Sequence, residues 1–545
     1  GKALGLAEDK QKLNSGKALI RYFCVPCRPT KTNGGRTRNL PHHDPARWVL
    51  FKEYNGRDVE TEMEIERRLS AFPVPDFVQK EWETNLRINA RGVMVDMSLV
   101  AGALTMGANT RAALVDEAER LSGLRNPNSV KQLREWLGTE LDEEVTNLNK
   151  ETVAHLLNRD NNSDTVQRML EIRQELGKTS TKKYDAIKAA VCSDGRVRGL
   201  LQFYGANRTG RWAGRLVQVQ NLPRTYTEPL SLARDLVINN QPDALRLICG
   251  SIPDTLSQLI RTSFIASPGN LLVDADFSAI EARVISWLAG EQWRLDVFRT
   301  HGKIYEASAS QMFGVPIEKI KKGNPEYALR QKGKVAELAL GYQGSTGALI
   351  KMGAFDMGLT EEELPDIVTR WREANRRIRD LWYAMENAAV RVISEGGSVG
   401  VGCVLLSREY DQSTGADCMT ILLPSGRKLY YISPKLGVNK WDKPSIVYMG
   451  LNDKNKWNEI ETYGGKLVEN CVQAIARDCL ACSIERLEAA GMPIVFHVHD
   501  EVVIDIPADR ADLDAVVQLM GAPIPWAADL PLNADGWTGL FFRKD

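Results

Sequence analysis

The chain has 545 residues, and 70 Lys and Arg balance 70 Asp and Glu, so its formal net charge is zero. A chain well above about 300 residues predicts several hydrophobic cores, and neutrality excludes a uniformly basic nucleic-acid coat while leaving room for a local basic groove. No apolar run reaches the roughly 20 residues of a membrane helix, and the nine scattered cysteines fit reduced thiols, so we expect a cytoplasmic protein without membrane spans.

The N-terminal third is predicted to be loop followed by helices. Its first 40 residues are rich in Gly, Lys, Arg and Thr, which is typical of exposed loops. Residues 48–69 have a helical pattern that ends before Pro73 and Pro75, and these prolines mark the best domain boundary. Residues 78–190 are mostly amphipathic helix, interrupted at 126–129 by a turn that also supplies helix-capping side chains.

The remaining residues alternate between mixed and helical segments. Strand-like and helical stretches mix over 196–288, and helix dominates 291–396. Residues 397–451 are β-rich with turn signals, and a helix over 465–491 leads into a strand that begins at 493.

That last segment, "PIVFHVHDEVVIDIP" at 493–507, places Asp500 and Glu501 side by side among apolar residues. Burying one carboxylate costs several kcal/mol unless something neutralises it, and two adjacent carboxylates cost more. The pattern therefore indicates a strand whose acids are neutralised by another group.

A second acidic segment occurs at 271–290, where an apolar Leu-Leu-Val run delivers Asp274 and Asp276 and a helix follows. Taken alone, this cluster also fits a helix cap at Asp276 or Ser278. If the two acidic strands pair, Asp276 and Asp500 could share two Mg²⁺ ions, which is the carboxylate-plus-phosphate arrangement of phosphoryl transfer.

A stripe of side chains recurs every four residues between these segments. Its members are Arg330, Lys334, Leu338 and Tyr342, so we expect them on one face of a helix. Two cations followed by an apolar and an aromatic residue suit a triphosphate at one end and a base at the other. The alternative is a solvated basic face, which is also how we interpret the lysines of 317–326.

These segments resemble the three polymerase motifs of family A DNA polymerases, the bacterial DNA polymerase I family, and the chain resembles its phage-encoded members. The matching segments share the family's order: "RTGRW" (208–212), "QNLP" (220–223), "DFSAIEAR" (276–283), "RQKGKVAELALGY" (330–342) and "HDE" (499–501). With "NPNSVKQL" at 126–133 in the thumb region, the likeness extends from about residue 76 to the last residue.

The resemblance implies a metal site. Asp276 and Asp500 are expected to bind two Mg²⁺ ions, which Mn²⁺ can replace, with the backbone carbonyl of Phe277 as a further ligand. Glu501 is expected to assist the metal or its water without being indispensable. His499 is expected to contact the terminal phosphate of the primer.

The resemblance also implies a deoxynucleotide site. Arg330 and Lys334 are expected to meet the incoming phosphates, and Lys334 is also a candidate acid for the leaving group. Tyr342 is expected to stack at the insertion site, with Leu338 beside the sugar. Glu281 is expected to exclude a 2′-OH, which selects deoxynucleotides.

DNA binding is expected to use features common to all sequences, because base pairing reads the template. Six side chains are expected at the DNA: Arg211, Gln220, Asn221, Arg283, Gln473 and His499. The partners implied are primer–template DNA and dNTPs, bound by a monomer in the cytoplasm of a host cell, and any replisome or processivity partner stays unknown.

Three positions depart from the family pattern. Ala279 stands where the family has Gln, Tyr305 where it has His, and Leu338 where it has Phe or Tyr. Because Leu338 removes an aromatic ring beside the sugar, we hypothesise altered discrimination against dideoxynucleotides and altered speed.

The implied fold is an α+β right-hand polymerase, with an antiparallel palm sheet and helical fingers and thumb, preceded by a partial exonuclease-like segment. The expected segments are an exonuclease remnant (1–75), palm entry and thumb (76–190), the first palm part (191–290), fingers (291–396), a β-rich elaboration (397–460) and the second palm part with the C-terminus (461–545). The β-rich stretch is expected to elaborate the palm or fingers, and the alternative is a clamp site for a processivity partner.

Tyr54 and Asp58 match the Tyr-x₃-Asp signature of proofreading 3′–5′ exonucleases, where the Asp binds metal and the Tyr orients water. No Asp-x-Glu precedes them, and some 70 residues are too few for that domain, so we expect an inactive remnant. The alternative is that these residues only brace the polymerase.

Cys24 and Cys27 with His42 and His43 raise a zinc hypothesis, although adjacent histidines make poor ligand spacing.

Three other functional classes fit parts of the sequence. A non-catalytic DNA-binding protein predicts decayed carboxylates, but the carboxylates are intact. A single-subunit RNA polymerase is disfavoured by Glu281 and by the His-Asp-Glu order at 499–501. A dedicated nuclease is disfavoured because only its last motif is present.

Overall fold

The structure is a computed structural model that describes residue 6 and residues 16–70, 72–412, 415–438, 444–452 and 454–544. The chain divides into two compact units, one formed by 1–79 with 384–464 and the other by 80–383 with 465–545. Among the described helices, none is both long and apolar enough to cross a membrane.

Helices and strands alternate along the chain in long blocks. The helices are α1 (Gly16–Cys24), α2 (Pro45–Leu69), α3 (Asp76–Arg91), α4 (Met97–Ser122), α5 (Val130–Leu141), α6 (Lys150–Leu157), α7 (Asp164–Leu176), α8 (Lys182–Ala190), α9 (Leu230–Ile238), α10 (Pro242–Cys249), α11 (Ile252–Leu259), α12 (Ile280–Ala289), α13 (Gln292–Thr300), α14 (Ile304–Phe313), α15 (Leu329–Leu340), α16 (Thr346–Lys351), α17 (Leu364–Ala374), α18 (Arg376–Glu395), α19 (Gly464–Ala489) and α20 (Leu513–Gly521). The strands are β1 (Val93–Val95), β2 (Arg196–Val197), β3 (Leu201–Gln202), β4 (Ala213–Gly214), β5 (Phe264–Ile265), β6 (Asn270–Phe277), β7 (Ser398–Val401), β8 (Val404–Asp411), β9 (Ala416–Leu422), β10 (Lys428–Val438), β11 (Pro444–Leu451), β12 (Trp457–Thr462), β13 (Ile494–Val498), β14 (Glu501–Pro507) and β15 (Ala534–Gly539).

In the first unit, α1 and α2 pack through aromatic rings. The Phe23 ring lies 5.2 Å from Trp48 and 5.4 Å from Phe51, centroid to centroid. Helix α2 begins three residues before its predicted start, because the Asp44 side chain caps it by accepting from the Arg47 N–H at 3.0 Å. This helix carries Tyr54 and Asp58.

The β-rich stretch forms a six-stranded antiparallel sheet in the order β12-β11-β10-β9-β8-β7. Each strand pairs with its neighbour in sequence, so short turns are sufficient to connect most of them. The sheet belongs to the same unit as the N-terminal helices, and the Phe72 ring meets Tyr430 edge-on at 6.3 Å. The structure therefore groups this sheet with residues 1–79, whereas the sequence indicated an elaboration of the palm or fingers.

In the second unit, the segment expected to form the thumb is helical. Helices α4 to α7 share one hydrophobic core, whose members are leucine, valine, isoleucine, methionine and alanine. The core residues include Leu114, Ala118, Leu133, Leu137, Val153, Leu156, Val166, Met169, Leu170 and Ile172. The turn predicted at 126–129 is present, and Ser129 caps α5 by accepting from the Gln132 N–H at 3.4 Å.

A four-stranded antiparallel sheet in the order β13-β14-β6-β15 forms the centre of the second unit. The two acidic strands are neighbours in it, and helix α20 packs on β6 and β15. Strand β15 approaches β6 so closely that a Cβ at Gly536 would lie 2.0 Å from the Asp274 carbonyl oxygen. Only glycine permits this spacing, because real Cβ contacts essentially never fall below about 3 Å.

The helical segment expected to form the fingers surrounds a buried ion pair. The Arg294 guanidinium donates to Glu337 Oε1 at 2.8 Å and to Glu337 Oε2 at 2.5 Å, and both side chains are at most 4% exposed. Ser286 Oγ and Asn375 Oδ1 accept two further N–H groups of Arg294, and the Trp371 indole donates to Glu337. Each charge therefore has hydrogen-bond partners, as a buried pair requires.

Candidate active site

The sheet brings the predicted carboxylates together at one end of its two inner strands, β14 and β6. We call the site formed there by Asp274, Asp276, Asp500 and Glu501 the acidic edge. In the register of β14 and β6, Glu501 lies opposite Asp276 and Val503 lies opposite Asp274. Asp500 occupies the turn between β13 and β14, where its backbone carbonyl accepts from the Phe277 N–H at 3.2 Å. His499 takes a left-handed conformation, with φ +55°, to make this turn.

Burial keeps these acids in an environment that disfavours their charge. Asp274 is 4% exposed and Glu501 is 1% exposed. Burial and the neighbouring Asp276 raise the pKa of Asp500 to about 7, and burial with the Glu501 charge raises the pKa of Asp274 well above its usual value. Burial also raises the pKa of Glu501, although Lys544 opposes that shift.

Lys544 supplies a positive charge that no motif in the sequence predicts. Its Nζ lies 2.6 Å from Glu501 Oε2 and 3.1 Å from Asp276 Oδ2. Burial lowers the pKa of Lys544, but the two carboxylates outweigh that effect and raise it above its usual range. An ammonium group therefore bridges the two acidic strands.

The carboxylates retain capacity for further ligands. Asp274 Oδ2, Asp276 Oδ1 and Glu501 Oε1 are buried and have no hydrogen-bond partner among the described residues. Such oxygens are the hard ligands that Mg²⁺ prefers, so the donor set fits a divalent cation. In the part of the chain that the structure describes, no three acidic, His or Cys side chains are arranged so that they could hold a metal ion together, and Lys544 stands between two of the acids.

A second network surrounds Glu281 on α12. Its Oε1 accepts from the Arg211 guanidinium at 2.6 Å, and its Oε2 accepts from the Tyr342 hydroxyl at 2.8 Å. Burial and the Glu281 charge raise the pKa of Tyr342 well above its usual value. The structure thus joins three predicted site residues from three distant parts of the sequence.

The predicted stripe is only partly helical. Helix α15 ends at Leu340, so Tyr342 lies beyond it, where its hydroxyl reaches Glu281. Arg330 donates to Glu306 Oε1 at 2.8 Å, whereas Lys334 has no hydrogen bond or ion pair to any described residue. Leu338 is 47% exposed.

The residues expected at the DNA lie in different environments. His499 Nε2 is 3.2 Å from the Gln220 carbonyl oxygen, and the side-chain amide of Gln220 is buried without a partner among the described residues. Asn221 is exposed. Gln473 donates to Glu469 Oε1 at 3.3 Å.

Arg283 is buried, in contrast to the other residues expected at the DNA. It is 3% exposed, and its guanidinium donates to the carbonyl oxygens of Ser278 and Pro531 at 2.6 and 2.7 Å. Burial lowers its pKa to about 10. These contacts give Arg283 a bracing role behind the acidic strand, and a DNA contact by its side chain has no support in them.

Arg477 is a second residue that sequence reasoning missed. Its guanidinium forms ion pairs with Glu81 at 2.6 Å and Asp478 at 3.2 Å, donates to the Gly210 carbonyl, and lies 4.4 Å from the centre of the Trp212 ring. It thereby holds the loop on both sides of Arg211. The available signal was an Arg-Asp pair between apolar residues in the middle of helix α19.

Two of the four residues of the zinc hypothesis, Cys27 and His43, form hydrogen bonds with the backbone. The Cys27 thiol donates to the Arg36 carbonyl at 3.4 Å, and His43 Nδ1 accepts from the Leu40 N–H at 2.8 Å. Among the described residues, no group of three or more possible ligands forms there.

Comparison with known proteins gives the class. A family model described as DNA polymerase family A matches residues 104–392. The DNA polymerase of Bacillus phage SP02 is 52% identical over 547 residues, which cover 100% of this chain and 82% of the phage protein. A thermostable DNA polymerase I of Thermus thermophilus is 25% identical over 463 residues, 82% of this chain and 46% of that protein.

A solved structure, the POL domain of Pol1 from M. smegmatis in complex with DNA primer-template and dNTP, has the same fold. Its TM-score is 0.58 at 19% identity, and the match covers 97% of this chain and 79% of that one. The α+β right-hand fold expected from the sequence is confirmed. The chain belongs to DNA polymerase family A. Its enzyme class is DNA-directed DNA polymerase, and its similarity to a phage enzyme confirms the phage-type resemblance.

Proposed function

We propose that the acidic edge of the central sheet adds deoxynucleotides to a primer 3′-OH on a DNA template and releases pyrophosphate. The observation that carries this proposal is the register that sets Asp276 beside Glu501 and next to Asp500, with buried oxygens still lacking partners. A purely structural acid cluster has no use for such oxygens, because each unpaired buried group costs stability.

Asp276 and Asp500 would hold Mg²⁺, or Mn²⁺ in its place, with the Phe277 carbonyl as an additional ligand and Glu501 in support. Two bound ions supply a lower pKa for the primer 3′-OH and charge neutralisation of the triphosphate. The chain's own contribution is to fix the carboxylates on two hydrogen-bonded strands, so that little reorganisation is needed on binding.

Lys334 and Arg330 bind the phosphates of the incoming nucleotide. Lys334 is available at once, because it has no described partner, and it also serves as the acid for the leaving pyrophosphate. Arg330 must first exchange Glu306 for phosphate, which requires a change of its ion pair as the fingers close.

Glu281 selects the sugar. Its carboxylate is fixed on both oxygens, by Arg211 and by Tyr342, so it cannot turn aside when a 2′-OH approaches. Tyr342 stacks near the template base, and Leu338 lines the neighbouring wall. The substrates are therefore dNTPs rather than NTPs.

Primer–template DNA lies along Arg211, Gln220, Asn221 and Gln473, with His499 at the primer's terminal phosphate. These contacts read features common to all sequences. The protein acts as a monomer in the host cytoplasm, in phage-type DNA replication. We also propose the segment boundaries predicted from the sequence for the exonuclease-like segment, thumb, palm, fingers and β-rich elaboration.

Helix α2 carries the two residues of the exonuclease signature. Tyr54 and Asp58 lie one turn apart on α2, and a hydrogen bond between them raises the pKa of Tyr54. Within residues 1–75 this is the one acidic motif typical of an exonuclease, and we propose that these residues correspond to the C-terminal part of such a domain.

Primer extension tests the proposal. Wild type, Asp276→Ala and Asp500→Ala receive a primed template, Mg²⁺ and either dNTPs or NTPs, and Asp509→Ala is the matched control because Asp509 is an exposed acid of the same unit. We expect extension with dNTPs only, a loss of at least about 1,000-fold in both active-site variants, and no loss in the control. Retained extension by Asp500→Ala would overturn the assignment.

A further inference from the structure

The contact between Lys544 and the acidic strands has no place in the proposed reaction. The ammonium touches Asp276 and Glu501, which face each other in the register of β6 and β14. No other described Lys or Arg forms an ion pair with either of these carboxylates. Lys544 therefore lies where a cation shared by the two strands would lie.

The position of Lys544 is fixed by its backbone. Phe542 is fully buried and its N–H donates to the Phe264 carbonyl at 2.8 Å, while the Lys544 carbonyl accepts from the Thr225 N–H at 3.2 Å. The side chain can leave the carboxylates by rotating about its own bonds, with these anchors intact. A lysine side chain has the length and freedom to make that movement.

Electrostatics explains why a cation is needed there before any metal arrives. Asp274, Asp276, Asp500 and Glu501 lie within one small region, and burying like charges together is unfavourable unless a cation or protons compensate. A single ammonium compensates one charge. A divalent ion compensates two and also bonds to oxygens that Lys544 leaves unpartnered.

We propose that Lys544 is a resident cation of the metal-free enzyme, and that a catalytic divalent ion enters by displacing its ammonium from Asp276 and Glu501. The proposal rests on the proposed function, because it takes the same carboxylates as metal ligands. Lys544 acts through those carboxylates, so it is a positioning residue that stabilises the empty site and competes with metal.

Direct metal binding tests the competition. Mn²⁺ is titrated into the full chain without DNA or nucleotide, and free Mn²⁺ is measured by electron paramagnetic resonance. We expect Lys544→Met to bind Mn²⁺ about 10-fold more tightly than wild type, since the competing charge is gone. Lys544→Arg keeps the charge and should stay within about 2-fold of wild type.

Two further variants separate the possible failures. Lys188→Met removes an exposed lysine elsewhere in the same unit and should leave Mn²⁺ affinity unchanged. Asp276→Asn should abolish the site in every background. If it does not, the proposed metal ligands are wrong; if it does, but Lys544→Met binds Mn²⁺ equally or more weakly, only the competition proposal is overturned.

A measurement on wild type covers the case in which Lys544→Met does not fold. Amine-reactive labelling followed by mass spectrometry should show Lys544 protected without divalent ions and at least about 5-fold more reactive with saturating Mg²⁺. Lys188 in the same sample serves as the internal reference. Equal or lower reactivity of Lys544 with Mg²⁺ would contradict displacement.

Discussion

Two places in the second unit bury charge, and they do so in opposite ways. In the Arg294–Glu337 pair, both carboxylate oxygens accept hydrogen bonds from the guanidinium. Further hydrogen bonds join the guanidinium to Ser286 and Asn375 and the carboxylate to Trp371. The acidic edge at Asp276 and Glu501 has buried oxygens without described partners.

The difference separates structure from chemistry. A buried pair with complete hydrogen bonding costs little and holds its elements in register. A buried acid cluster with incomplete bonding lowers stability until a ligand arrives, and the energy withheld from folding becomes available for binding cations. Unequal satisfaction of buried charge therefore marks the site more clearly than burial alone.

The largest expected effect comes from breaking the satisfied pair. Glu337→Gln leaves the Arg294 charge buried without its partner and should lower the free energy of unfolding by about 3–5 kcal/mol. Urea denaturation measures the loss, with the exposed Glu318→Gln as control. A loss below about 1 kcal/mol would mean that the Arg294–Glu337 pair does not stabilise the fold more than the acidic edge does.

At the acidic edge, without metal, removing a charge is expected to raise the free energy of unfolding instead of lowering it. Because the pKa of Asp500 is raised to about 7, the folded state keeps a proton between about pH 4 and 7 that the unfolded chain has released. Wild-type stability should therefore fall as pH rises through this range.

Asp500→Asn removes this cost. The difference between its free energy of unfolding and that of wild type, measured in metal-free buffer, should shift in favour of the variant's folded state by about 2 kcal/mol from pH 5 to pH 8. Asp509→Asn, at an exposed position, should show no such dependence. An equal difference at both pH values would remove the electrostatic cost from the comparison.

Glu281 is an intermediate case, since each of its oxygens has one partner and its side chain is 36% exposed. Tyr342→Phe should lower the free energy of unfolding by about 1 kcal/mol, the usual value of one hydrogen bond. Thermal unfolding measures it, and Tyr383→Phe, at a half-exposed position, is the control. An unchanged free energy of unfolding would mean that the hydrogen bond to Tyr342 does not stabilise the fold, as at the acidic edge.

The smallest stability effect is expected for Leu338→Phe. Leu338 is 47% exposed, so the change should stay within about 0.5 kcal/mol. The ratio of dideoxynucleotide to deoxynucleotide incorporation should nevertheless change, because the new ring would lie beside the sugar. An unchanged ratio would refute the hypothesis on nucleotide discrimination.

Local patterns carried much of the fold. Apolar residues around the acids predicted the strands of the acidic segments, and periodicity predicted the helices now seen as α2 and α19, with boundaries shifted by at most three residues. The helix expected to carry the stripe from Arg330 to Tyr342 extends only over Leu329–Leu340, because the residues that follow turn Tyr342 towards Glu281. Competition from such tertiary contacts is not visible in a periodic pattern.

The site depended on information that a single segment does not contain. Pairing of the acidic strands could be conjectured, but their register could not, although a shift of one residue would turn Asp276 to the other face. Lys544 meets Glu501 from 43 residues away along the chain, and it stands in no motif. The family resemblance identified the carboxylates, whereas their counter-charge, Lys544, became visible only in the three-dimensional structure.

The contact at Gly536 limits how this enzyme can drift in sequence. Any side chain there must separate β15 from β6, and Lys544 follows β15 by only a few residues. A randomised library at position 536 should therefore return glycine almost alone when replication is selected, while the exposed neighbour Asp535 tolerates many replacements. Such a library would show selection acting on the absence of a side chain two strands away from Asp500.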